Sequence, residues 1–159
     1  MHTQEIIAHL RPRFAEEIVE TVSDGAHQHI AVRREQLRDV CSFLKTEPAL
    51  WFDLLRCITA VDWPAKNRME LSYDLLSIRH AHSFALKVLV ERAQPVVDSV
   101  SDIWPAANWH EREAYDLMGI SFTNHPDLRR ILMPDDWHGH PLRKDYQDPT
   151  DYHGLKIKP

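Results

Sequence analysis

The sequence predicts an α+β domain followed by an extended C-terminal arm. The domain reads as a two-layer α/β sandwich of order α-β-β-α-β-β-β-α, with its helices on one face of a mixed sheet. Three observations carry this. Five short stretches alternate apolar with polar residues or run rich in β-formers, and turn signals separate them. Other stretches repeat apolar residues at i, i+3, i+4. Five of the ten prolines lie beyond residue 119, where neither period continues.

Each element follows from its own residues. Thr3–Leu10 places Ile6, Ile7 and Leu10 on one face, and the helix is expected to end before Pro12. Glu16–Val22 alternates up to Ser23-Asp24-Gly25, and His27–Val32 alternates again, so a hairpin with Asp24-Gly25 at its tip is expected. In Glu35–Lys45, Leu37, Val40, Cys41 and Leu44 form a helical stripe that ends before Pro48. Strands are expected at Leu50–Asp62, Met69–Arg79 and Phe84–Glu91, with turns at Pro64–Arg68 and His80–Ser83. Pro95 ends the last strand. A short helix over Val97–Ile103 and a firmer one over Ala106–Met118, stopped by Gly119, complete a domain spanning residues 1–120. The arm, residues 121–159, contains Pro126, Pro134, Pro141, Pro149 and Pro159, which block helix and central-strand bonding.

Composition narrows the function. The chain has 159 residues, enough for one sizeable core and an appendage. Its net charge of −5 argues against nucleic-acid binding, which depends on phosphate neutralisation. The arm holds six basic and six acidic side chains, so the negative charge falls on residues 1–120. No run approaches the ~18 apolar residues a spanning helix needs, and the N-terminus, with Glu5, reads as no signal peptide. The two cysteines, Cys41 and Cys57, lie in separate elements, too few for a cluster that takes four thiolates.

Chemistry-bearing residues concentrate in Trp109–Tyr146. On the helix, Arg112 and Asp116 stand at i, i+4 and Glu113 and Asp116 at i, i+3. An exposed pair of this kind contributes only about 0.3–0.5 kcal/mol, which explains the cluster poorly. The acids Glu111, Glu113 or Asp116 are instead expected to hold Arg129, Arg130 or Arg143 of the arm, bidentate where arginine is used. Ile131, Leu132, Met133 and Trp137 have no periodicity, which points to an arm laid on another protein and ordered by binding it. Three His-x-His pairs, His27/His29, His80/His82 and His138/His140, each lack an obvious third metal ligand. Only four glycines occur, and neither a dinucleotide fingerprint nor a phosphate loop is present.

The same segment carries a resemblance. Glu111-Arg112-Glu113-Ala114-Tyr115-Asp116-Leu117-Met118-Gly119-Ile120 comes first, then Asn124-His125-Pro126. Arg129-Arg130-Ile131-Leu132-Met133-Pro134 and Pro141-Leu142-Arg143-Lys144-Asp145-Tyr146 follow in order. Together they closely resemble the small hydrophilic peripheral-arm subunit of respiratory complex I, the proton-pumping NADH:quinone oxidoreductase. Gln147 departs from the family, which usually has proline there.

The resemblance implies a cofactor-free structural and assembly subunit, with no catalytic or metal-binding residue of its own. FMN and Fe–S clusters would lie in partner subunits and pass electrons from NADH to quinone. The expected partners are the quinone-site subunit and the Fe–S subunits, met through Glu111, Arg112, Glu113, Asp116, His125 and Arg129. Arg130, Trp137, Arg143, Lys144, Asp145 and Tyr146 complete that expected interface. Membrane association would come only through the complex, on the cytoplasmic side of a prokaryotic inner membrane. Two alternatives stand beside this reading: the equivalent subunit of a related membrane-bound hydrogenase or dehydrogenase, and a stand-alone metal-dependent enzyme using the histidines with Glu113 and Asp116.

Overall fold

A computed structural model describes residues 1–25 and 27–157. Ala26, Lys158 and Pro159 lie outside the described residues. Three helices, α1 (Thr3–Phe14), α2 (Leu37–Thr46) and α3 (Ala107–Met118), accompany a mixed sheet of β1 (Ile18–Val22), β2 (His29–Val32), β3 (Leu54–Trp63), β4 (Arg68–Ser77) and β5 (His82–Glu91). The sheet order is β1-β2-β5-β4-β3, antiparallel except where β2 meets β5. The α+β class with a five-stranded mixed sheet is thus as expected.

Alternation decides which face of the sheet is covered. In β4, Met69, Leu71, Tyr73 and Leu75 are buried, while Glu70, Ser72 and Asp74 between them are half-buried. Phe84, Leu86, Val88 and Val90 of β5 face the same way. Ile6, Leu10, Leu37, Val40, Leu44 and Ala114 of the helices join them in one core, because side chains two apart on a strand share a face and those three or four apart on a helix share a stripe.

Five expectations need correction. Helix α1 continues through Pro12 to Phe14, because the exposed Pro12 sits in the last turn and Phe14 is buried edge-on to Phe43, ring centroids 5.5 Å apart. Strand β3 starts at Leu54, not Leu50, because the chain after α2 first turns back: the Leu50 and Trp51 N–H groups donate to the Glu47 carbonyl. The helix expected over Val97–Ile103 is instead strand β6 (Val96–Asp98) followed by a turn. Its partner β7 (Ser121–Thr123) pairs with it in parallel and takes the domain past the expected boundary at residue 120, with Phe122 in the core. Local periodicity carries no signal for a partner on the far side of a helix. Near the end of the arm, β8 (Asp151–Tyr152) and β9 (Leu155–Lys156) form a small hairpin, so the arm is not structureless throughout.

Candidate functional site

The arm is held by helix α3, and the centre of the attachment is Asp116. Asp116 is fully buried. Its Oδ1 accepts a hydrogen bond from Arg130 Nη1 at 2.6 Å, and its Oδ2 accepts the N–H groups of Ile131, Leu132 and Met133 at 3.0, 2.8 and 2.9 Å. Three successive amides converging on one oxygen form an anion nest. Burial pushes the carboxyl pKa up, but the three amides and Arg130 outweigh it and hold the group below the usual aspartate range. Arg130 reaches onward to the Trp137 and Gly139 carbonyls at 2.9 and 3.1 Å, so one guanidinium closes a loop of the arm on itself.

A second contact lies where α3 ends. Gly119 adopts φ +70° at the C-cap, where a left-handed residue ends the helix. His140 and Arg143 pack on the glycine so closely that a Cβ would lie 2.5 Å from the His140 ring. Arg143 Nε donates to the Met118 carbonyl at 2.8 Å, and the Leu142 N–H donates to the Leu117 carbonyl at 3.0 Å. The orphan carbonyls of the helix end are thus satisfied by the arm.

A third anchor comes from the sheet. Asp62, buried on β3, takes Arg92 bidentately, Nε to Oδ1 at 2.7 Å and Nη2 to Oδ2 at 3.0 Å, and accepts the Lys144 N–H at 2.9 Å. Arg92 Nη2 also reaches Asp145 Oδ1 at 2.6 Å. The Arg92 guanidinium, ahead of the Lys144 amide, holds the Asp62 carboxyl below its ordinary range. Sequence reasoning missed Asp62 and Arg92. An inward aspartate at the end of a β-rich run is the one signal that marks them, since a buried charge requires a partner.

Glu111 has a different environment. It is fully buried and accepts Ser99 Oγ–H at 2.5 Å and the Val100 N–H at 2.7 Å. Burial outweighs these bonds and pushes its pKa up to about 7. The His125 ring, side chain wholly enclosed, lies 3.8 Å away. The Asp127 N–H donates to its Nδ1, which leaves Nε2 as the donor to the Asn108 carbonyl.

The expected interface therefore divides. Glu111, Asp116, His125 and Arg112 are enclosed by this chain's own residues, Arg112 lying 5.1 Å from the Trp109 ring with its Nε toward the Arg129 carbonyl. They build the platform and do not face outward. The Asp116–Arg130 pair engages one carboxylate oxygen and is not the expected bidentate pair, because the other oxygen is filled by backbone amides. Arg129 pairs with Asp127, while Arg143 goes to carbonyls. Trp137 and Tyr146 are half-buried and joined, Nε1 to hydroxyl at 3.0 Å, and the Trp137 ring lies 5.2 Å from Tyr152. Glu113, Arg129, Lys144 and Asp145 are exposed, as are the arm's Leu132 and Leu142. The arm is tied to the domain by ionic and amide bonds at Asp116, at the end of α3 and at Asp62.

The acids and histidines of the metal-enzyme alternative are dispersed. Glu113 is exposed while Asp116 is enclosed, and His80 and His82 stack at 5.6 Å with each Nε2 on a carbonyl, of Pro48 and Leu50. Among the described residues, no group of three or more His, Cys, Asp or Glu is placed to hold a metal, and no helix is long and apolar enough to cross a membrane.

The family described as respiratory-chain NADH dehydrogenase, 30 Kd subunit, matches residues 30–152. The NADH-quinone oxidoreductase C subunit of Geotalea uraniireducens is 47% identical over 138 residues, 86% of this chain and 83% of the relative. Its namesake from Geobacter metallireducens is 44% identical over 146 residues, 91% and 89% of the two chains. A chain of the archaeal membrane-bound sulfane sulfur reductase superposes with a TM-score of 0.76 at 26% identity, over 91% of this chain and 85% of that one. The trypsin-resistant fragment of Nqo5 superposes with a TM-score of 0.67 at 28% identity, over 80% of this chain and all of the fragment.

Proposed function

The chain belongs to the family of the 30 Kd subunit of respiratory-chain NADH dehydrogenase, and on that premise we propose that it serves NADH-quinone oxidoreductase as a structural subunit without catalytic residues of its own. Its work is to present a preformed docking surface to neighbouring subunits of the peripheral arm. The quinone-site subunit and the Fe–S subunits are those neighbours, and FMN and the clusters belong to them. The chain then sits peripherally, on the cytoplasmic side of the membrane.

One observation carries this reading. The irregular arm is pinned from inside by Asp116 and Asp62, while Arg129, Leu132, Leu142 and Lys144 are left facing outward. A surface ordered before binding avoids most of the entropy cost of association. Arginine is a residue type that dominates interface energy, and the leucines beside it add apolar area to bury. The donor set fits a chain without a cluster: Cys41 lies in the core, whereas Cys57 stands opposite Asp74 on the other face of the sheet. Two thiols on opposite faces cannot converge on one Fe–S centre.

The test is the double variant Arg129→Ala, Leu132→Asp in the tagged chain. Its thermal melt stays at the wild-type value, while the yield of assembled complex on a native gel falls. Normal yield of the complex would overturn the proposal. The likeness to the sulfane sulfur reductase chain favours a second reading, the equivalent subunit of a related membrane complex. Co-purification separates the two: NADH oxidation in the purified assembly supports the first and its absence the second.

A further inference from the structure

Strand β3 is the last strand of its sheet, and its outer edge is open. It runs ten residues, Leu54–Trp63, and only β4 pairs with it. In an antiparallel pair alternate residues turn their N–H and C=O groups away from the neighbour. Among the described residues, no hydrogen bond from outside β4 reaches the backbone of 54–63. Some of the usual guards of such an edge are missing: the strand has no proline and no lysine, and its single register shift lies between Leu55 and Cys57. Its inward Asp62 is already taken by Arg92 and the Lys144 N–H, which leaves Arg56 as its one exposed charge. From Cys57 to Trp63 the edge is regular.

From these features we infer that the outer edge of β3 is a second docking surface, bordered by the arm at Leu142, which accepts an extended strand from a neighbouring subunit. A main-chain edge of this kind is satisfied by another main chain, and alternate side chains of the added strand then need pockets. The structure supplies one. A cleft of about 170 Å³ runs between β3 and α3, lined by Ile58, Ala60, Ala114, Leu117 and Leu142. Thr59 and the exposed Glu113 also belong to its lining. The occupant is therefore an extended segment with apolar residues at alternate positions and a basic residue opposite Glu113.

Two further points fix the kind of occupant. Leu142, one wall of the cleft, belongs to the arm and is held there by its N–H bond to Leu117, so the edge continues the arm's outward surface. A second copy of this chain fits less well. Antiparallel pairing of two β3 edges about Thr59 would bring the two Glu113 side chains together, and like charges so placed oppose association.

The decisive experiment is amide hydrogen exchange of residues 54–63 in the purified complex and in the isolated full-length chain. In the isolated chain, alternate amides exchange fast; in the complex, those same amides slow by about a hundredfold, which marks cooperative pairing rather than fraying. Equal rates in both states would overturn the inference. Protection already present in the isolated chain and rising with its concentration would overturn it too, in favour of a second copy. A photo-reactive residue in place of Thr59 then identifies the occupant. An adduct to an extended segment of another subunit supports the inference, and an adduct only to this chain's own arm refutes it.

Discussion

The carboxylate of Asp116 meets the guanidinium of Arg130 at 2.6 Å, across 14 residues of sequence and between two parts of the chain with no common periodicity. With its other oxygen Asp116 gathers three consecutive amides of the arm. Breaking a buried, hydrogen-bonded charge pair from one side costs about 3 kcal/mol, most of it the penalty of the partner left uncompensated. Asp116→Ala is therefore expected to raise the open population of the arm roughly a hundredfold. Amide exchange at Ile131, Leu132 and Met133 reads this directly, and wild-type protection in the variant would disprove the anchor.

Acid should release the arm for the same reason. Asp116 and Asp62 both titrate below the ordinary aspartate value in the folded chain. A depressed folded-state pKa contributes stability that is fully present above the unfolded value, about 3.9, and is lost as pH falls through the folded one. Protease sensitivity of the arm stays flat from pH 7 to about pH 4 and climbs below that. A climb beginning at pH 6 would point to histidine instead.

Glu111 has the opposite sign. Its folded-state pKa of about 7 lies above the ordinary glutamate value of 4.5. Below pH 4.5 the group is protonated in both states and costs nothing. As pH rises from there to 7 the unfolded chain gives up the proton while the folded chain keeps it, so stability falls by about 3 kcal/mol and then levels off. Glu111→Gln, a neutral isostere, is expected to match the wild type near pH 4.5 and to exceed it in denaturant unfolding at pH 8. The same difference at both pH values would rule out a buried protonated acid.

Gly119 is the hinge of the helix–arm contact. A side chain there meets both a left-handed φ of +70° and the His140 ring and Arg143 guanidinium. The backbone strain alone costs about 1–2 kcal/mol. Gly119→Ala is expected to lower the melting temperature and to free His140 and Arg143, seen as a changed NMR environment for the His140 ring. An unchanged melt would show that the arm shifts without cost.

The sequence by itself determined the class of fold and the place of the joint. Alternation in Met69–Arg79 marked β4, the stripe Leu37, Val40, Cys41 and Leu44 marked α2, and Gly119 marked the end of α3, because these signals are local and set by one face of one element. The motif run from Glu111 to Tyr146 led to the family for a similar reason, since its spacing is written in the chain. Tertiary structure alone decided what those residues touch. Strand β6 in place of a helix, the Asp62–Arg92–Asp145 linkage and the enclosure of His125 all depend on partners distant in sequence. Glu111 and Asp116 are both carboxylates on one helix, yet one is pushed toward the protonated state and the other held ionised. Burial acts on both; only Asp116 meets a guanidinium and three amides, and that convergence exists only once the chain has folded.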